Sequence, residues 1–258
     1  MTQVIRLLSD PHRSPLSKAR SLVPETVNVL SSLPPSDPFS SSQLTYSTNG
    51  LDSFPAPSAY PSRRFSWIHI FPEGMIHQHP DKVMRYFKWG VARLILEAEP
   101  CPDVVPMWID GPQNVMSEKR EWPRFIPRAG ADITVNFGDL VDREAVWGPF
   151  RQRWADLKEK ARLKNAPGTQ PGVLVKSEDV ELGILRDHDL MYSAEAEQLR
   201  VEVTMAIRNE VLNVRRKATG LPDEDPKRSL ASTFKAEAWD YYGTAKPEKA
   251  DGSIVKEE

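Results

Sequence analysis

The sequence predicts an α/β fold, a mixed or parallel sheet flanked by helices. Three observations carry this. Two short runs rich in aromatic and β-branched residues, "FSWIHIF" (65–71) and "DVVPMWI" (103–109), read as buried strands. Between them Met84, Phe87, Val91, Leu94, Ile95 and Ala98 fall on one helical stripe. After them "ADITVNFG" alternates Ile133, Val135 and Phe137 with polar neighbours, the period of a third strand. Strand, helix, strand is the order of a right-handed β-α-β crossover.

The elements follow in order. "TQVIRLLSDP" puts Val4, Ile5, Leu7 and Leu8 on a short helical arc that Asp10-Pro11 ends. Residues 10–63 contain 9 prolines and 13 serines, too little apolar surface to offset the entropy of ordering them. They are read as a disordered insert or linker. Asp81, after Pro80, is a good N-cap for a helix from about Lys82 that ends before Pro100. Pro106 pushes the "DVVPMWI" strand toward an edge or a bulge. "REAVWGPFRQRWADLKEKARLK" is helical in its second half. A long helix starts at Ser193, its N-cap, with Leu199, Val203, Ile207, Val211 and Val214 as its stripe and Gly220 as its stop. The last residues are polar and fray. The expected boundaries are 1–9 (a helix end), 10–63 (the insert), 64–218 (the main folded part) and 219–258 (a flexible tail).

Composition narrows the function. Of 258 residues 40% are hydrophobic and 27% charged, and the net charge of −2 gives no global field for nucleic acid. The single cysteine, Cys101, excludes an internal disulfide framework and a Cys-rich zinc site. No run of about 18 apolar residues exists to span a bilayer, whereas attachment at its interface needs only an apolar face or protruding aromatics. The first 36 residues are Ser-rich and carry Arg6, Arg13, Lys18 and Arg20 against Asp10 and Glu25. This resembles a mitochondrial transit peptide; the alternative is a folded helix end followed by the insert.

The chemistry concentrates in "FPEGMIHQHPDKVMRYFKWG" (71–90). His69, Glu73, His77 and His79 suggest a metal at first sight. Pro72 and Gly74 break the helix that an i, i+4 pair requires, and a third ligand is not apparent, so no metal site is read here. The phosphate reading has more support. A strand ends, a glycine turn lets the backbone approach a ligand, and a helix then offers Arg85 and Lys88 at i and i+3. By spacing alone a solvated basic face explains the same cations.

A resemblance favours the ligand. Phe71-Pro72-Glu73-Gly74, Phe87-Lys88-Trp89-Gly90 and Val105-Pro106, in that order, are similar to three blocks of the glycerophospholipid acyltransferase superfamily. These enzymes move fatty acyl groups onto lysophospholipid or glycerol-phosphate hydroxyls. Within it, "SWIHIFPEG", "RYFKWGVARLILE" and "PRFIPRAG" resemble the tafazzin family, the fungal members in particular. The superfamily block ordinarily continues Thr-Arg, with the Arg on the phosphate. Here Met75-Ile76 follows, as in tafazzins, and the cationic role shifts to Arg85 and Lys88. The resemblance covers residues 65–140 well and the helix "RVEVTMAIRNEVLNVRR" more loosely.

The resemblance implies a partial glycerolipid acyltransferase fold over 64–218. It implies acceptor contacts at Glu73, Gly74, Arg85 and Lys88, and a reaction that needs no metal or bound cofactor. It implies phospholipid and lysophospholipid as partners, cardiolipin and lysocardiolipin among them, and peripheral attachment to a mitochondrial membrane surface. One family feature is absent: the His-x-x-x-x-Asp motif that supplies the general base. Five positions after His12, His69, His77, His79 and His188 stand Ser17, Gly74, Lys82, Met84 and Ser193. No catalytic residue is therefore assigned. "MTQVIRLLSD" resembles the end of the family helix before the Phe-Pro-Glu-Gly strand, so Met1 is expected to match an internal position of a longer protein. A catalytically inactive fragment or lipid-binding remnant is the alternative.

Overall fold

The structure, a computed structural model, describes residues 1–9, 45–46, 51, 54–55, 66–117, 122–123, 125–164, 183, 185 and 187–234. Its elements are α1 (Thr2–Leu8), β1 (Thr45–Tyr46), β2 (Phe54–Pro55), α2 (Gly90–Glu97), β3 (Met107–Asp110), α3 (Pro112–Val115), β4 (Thr134–Phe137), α4 (Gly148–Lys164), α5 (His188–Tyr192) and α6 (Ala194–Thr219). A π-helical turn, Arg143–Trp147, leads into α4. The chain divides into two compact units, one of Met1–His69, Arg93–Pro102 and Phe150–Ala196, the other of Ile70–Ala92, Asp103–Pro149 and Glu197–Glu258.

In the first unit Ile5 of α1 is buried, and Ser9 closes the helix. The Ser9 hydroxyl donates to the Ile5 carbonyl and accepts from Glu99 N–H at 3.0 Å. Arg151 of α4 donates to the carbonyls of Ile95 and Ala98, which a helix end leaves without helical partners, and pairs with Glu99. Trp154 and Ala161 are the buried face of α4. The helix at 143–164 thus begins earlier than its second half: Asp142 accepts from the N–H groups of Glu144 and Ala145 and starts the turn there. Within the 10–63 stretch, Thr45 and Tyr46 pair antiparallel with Pro55 and Phe54. Most of that stretch, and the tail beyond residue 234, lie outside the described residues.

In the second unit β3 and β4 pair antiparallel, with Met107 opposite Phe137 and Ile109 opposite Val135. The two expected strands at 103–109 and 131–138 are therefore present, the first shortened by Pro106, which has no N–H to give to a ladder. Gly138 donates to the Pro106 carbonyl, and a Cβ there would stand 2.5 Å from Val214 Cγ2, so α6 packs where a side chain would clash. Ser193 caps α6 by accepting from Ala196 N–H, and Gly220, at φ +68°, ends it. Leu199, Val203, Ile207 and Val214 are buried as the stripe requires; Val211 is half-buried.

Two expectations fail. The run 66–71 forms no strand, and among the described residues both ladders are antiparallel, so the parallel β-α-β crossover is not what these residues form. The helix expected from Lys82 starts only at Gly90. Lys82 adopts φ +52°, left-handed backbone that a helix cannot continue through. From there to Lys88 the chain has no regular secondary structure.

The hydrogen bonds of that segment explain its shape. Met84 N–H donates to Glu224, Arg85 N–H to Glu73 Oε2, and Lys88 N–H to the Pro72 carbonyl, each at 2.8 Å. The carbonyl of Lys82 accepts from Arg215 Nε at 3.0 Å, and those of Met84 and Arg85 accept from Arg208. Buried backbone must be paired, and here partners distant in sequence replace the helical ones. Met84, Tyr86 and Phe87 are buried all the same.

Candidate functional site

The turn and the returning segment form the site. Phe71 to Gly74 close a turn, with Gly74 N–H donating to the Phe71 carbonyl at 3.1 Å. Gly74 has φ +69°, and a Cβ on it would lie 2.8 Å from Lys88 Cε and 2.9 Å from Lys88 Cδ. Glycine adopts this backbone conformation without strain, and any side chain here would also displace the end of the lysine laid across it. Segment 82–88 runs back past the turn, tied to it by the Arg85–Glu73 and Lys88–Pro72 bonds.

The structure thus brings Glu73, Gly74, Arg85 and Lys88 together, by a route other than the expected helix face. Their environments differ. Arg85 is 3% exposed. Its guanidinium donates to the Glu73 carbonyl at 3.3 Å and lies 4.0 Å from the centre of the Tyr86 ring and 5.4 Å from that of Phe234. Lys88 is half-buried and Gly74 exposed. Burial, and then the charge of Arg85, hold the Lys88 ammonium below its ordinary range.

Glu73 is half-buried. Burial pushes its carboxyl up to about 7; Glu224 adds to the push, while the Arg85 N–H and the charges of Arg208 and Arg85 oppose it. A proton on Glu73 is thus exchangeable near neutrality. Behind the segment, Arg208 pairs with Glu224, both side chains 1% exposed, and also donates to Ser229. Arg215 approaches Glu224 at 3.5 Å and donates to the Pro222 carbonyl.

The sequence reading missed Arg208, Arg215, Glu224 and Phe234. The arginines carry a signal: Arg200, Arg208 and Arg215 lie within about 80° of one another around α6, at one edge of its apolar stripe. Glu224 and Phe234 carry none, since neither belongs to a periodic pattern. Among the described residues no group of three or more His, Cys, Asp or Glu is placed to hold a metal ion. The rings of His77 and His79 stand 6.1 Å apart, and His79 Nδ1 accepts from Asp81 N–H.

Comparison with known proteins bears on these blocks. The chain is 33% identical over 181 residues to tafazzin of Saccharomyces cerevisiae, an overlap of 67% of this chain and 42% of that protein. The chain is a tafazzin homologue. Tafazzin of Drosophila melanogaster is 34% identical over 76 residues, 30% of this chain and 19% of that protein. The N-acylphosphatidylethanolamine synthase of Arabidopsis thaliana is 33% identical over 79 residues, 30% of this chain and 28% of that protein. No protein-family model matches. The chain spans well under two thirds of the length of each of these relatives. No helix among the described residues is long and apolar enough to cross a membrane.

Proposed function

We propose that this chain is the acceptor-binding part of a tafazzin-like phospholipid–lysophospholipid acyltransferase. The parent reaction passes an acyl chain from a phospholipid to a lysophospholipid hydroxyl, with cardiolipin and lysocardiolipin as the pair, at a mitochondrial membrane surface. The observation that carries the reading is the turn Phe71–Gly74 with Lys88 laid across it, in a chain homologous to tafazzins.

The residues divide their work. Gly74 leaves backbone open to solvent and Lys88 holds a cation beside it, a pairing suited to the glycerol-phosphate group of an acceptor. Arg85 is a positioning residue: buried between aromatic rings and bonded to Glu73, it keeps the segment against the turn. Its charge lowers the proton affinity of Lys88 and adds to the positive potential there. Glu73 accepts the Arg85 N–H and fixes the same register.

The acceptor hydroxyl must lose a proton as its acyl–oxygen bond forms, while the donor's ester bond breaks and the freed donor oxygen takes up a proton. No residue is assigned to take the acceptor's proton, since this sequence has no His-x-x-x-x-Asp. The test uses acyl-labelled phosphatidylcholine with lysocardiolipin. The proposal predicts labelled cardiolipin, reduced when Lys88→Met is introduced. Absence of transfer with lysocardiolipin still bound would favour the lipid-binding remnant instead.

A further inference from the structure

The site lies beside a group of large apolar residues that the reading above does not use. Ile76, two residues beyond the turn, is 68% exposed. Next to it Gln78 Nε2 donates to the Met116 carbonyl at 2.9 Å, and Met116 is itself exposed. Val115 in turn accepts from Arg128 N–H at 2.9 Å, which fixes the end of the loop that carries Trp122, Phe125 and Ile126. Trp122 is 81% and Phe125 68% exposed, their rings packed edge-on at 5.6 Å.

Such exposure has a cost in water unless something covers it. The charge of the loop's sequence points to the occupant. Between Met116 and Gly130 the sequence has four basic residues against two acidic ones, in a chain whose net charge is −2. Arg128, at the foot of the loop, is exposed. Aromatic rings with neighbouring cations are the composition that partitions into the headgroup region of an anionic bilayer.

We propose that Ile76, Met116, Trp122, Phe125, Ile126 and Arg128 form a contact surface for an anionic lipid bilayer, with the two rings inserted among the headgroups. It adjoins the turn through the Gln78–Met116 bond, Gln78 standing four residues beyond Gly74, so the surface would bring the turn to the bilayer from which a lysophospholipid comes. The inference names the membrane contact within the functional reading above, yet it is tested without acyl transfer.

The experiment is co-flotation of the purified chain with phosphatidylcholine vesicles, with and without phosphatidylglycerol and without any lysolipid. The wild type is expected to float with phosphatidylglycerol vesicles and poorly with phosphatidylcholine alone. Trp122→Ser with Phe125→Ser should weaken binding at least about tenfold, since both rings leave the interface. Arg128→Glu should weaken it about fivefold or more, on the anionic vesicles only. If the double variant loses its thermal unfolding transition, Arg128→Glu decides alone. Failure of the wild type to float, or full binding by both variants, overturns the surface; the same result with self-association that the variants abolish assigns it to a protein contact. Loss of acyl transfer with flotation intact counts against the proposed reaction and leaves this surface standing.

Discussion

Helix α6 and the segment 82–88 both combine buried apolar side chains with arginine and lysine, and they fold by opposite means. In α6 the backbone satisfies itself, and the side chains are free to choose a face. In the segment the backbone of Lys82, Met84 and Arg85 bonds to side chains, Glu73, Glu224, Arg208 and Arg215, and that of Lys88 to the Pro72 carbonyl. The buried arginines of α6 are thus what the irregular segment uses in place of a helical ladder. The difference teaches where the site gets its rigidity: it is held in place by a helix some 120 residues later in the chain.

The largest effect should come from cutting that link. Arg208→Ala removes the closer of the two cations beside buried Glu224, leaving it Arg215 at 3.5 Å and the Met84 N–H, and strips two carbonyls of their donors, a loss of about 3 kcal/mol. Denaturant titration checks the magnitude. Hydrogen exchange checks the comparison: the amides of Met84, Arg85 and Lys88 should lose protection before those in the middle of α6.

Next comes pH. Glu73 takes its proton near 7 in the folded chain against 4.5 for the free group, so the folded state binds more protons between those values. Stability is therefore fully present below about 4.5 and falls as pH rises through about 7, by up to about 3 kcal/mol. Glu73→Gln keeps an acceptor for the Arg85 N–H and removes the charge. Its stability should be flatter over that window and exceed the wild type at pH 8, on the order of 1–3 kcal/mol, read from denaturant midpoints at both ends.

Gly74→Ala is smaller, about 1–2 kcal/mol for a side chain at φ +69°. The new methyl also pushes Lys88 aside, so lysophospholipid affinity should fall by more than the stability loss accounts for, measured by titration on the folded variant. The smallest is Arg216→Ala on the exposed side of α6, where the Asp223 pair is solvated and its loss costs less than about 0.5 kcal/mol. A large effect there would mean that the two faces of α6 are not as different as they look.

This contrast also accounts for what was legible in the sequence. The limits of α6 were, because Ser193 and Gly220 are local signals and four of its five stripe residues repeat with a helical period into the core. Strands β3 and β4 were, through alternation and a proline. The segment was not. Met84 and Phe87 are buried as read, but their spacing matches a helical stripe by coincidence, and the bonds that decide their backbone come from Glu224, Arg208 and Arg215. Local periodicity carries no information about such partners. The four predicted contact residues are nonetheless neighbours, because the Phe-Pro-Glu-Gly turn and the returning chain meet whichever conformation joins them.

The central claim is that Lys88, laid over Gly74, meets the phosphate of the acceptor. Direct titration of lysocardiolipin into the wild type and Lys88→Met tests it. A lost charge-assisted hydrogen bond predicts an affinity about ten- to a hundredfold weaker, with an unchanged unfolding midpoint. Equal affinity for the two proteins would contradict the account.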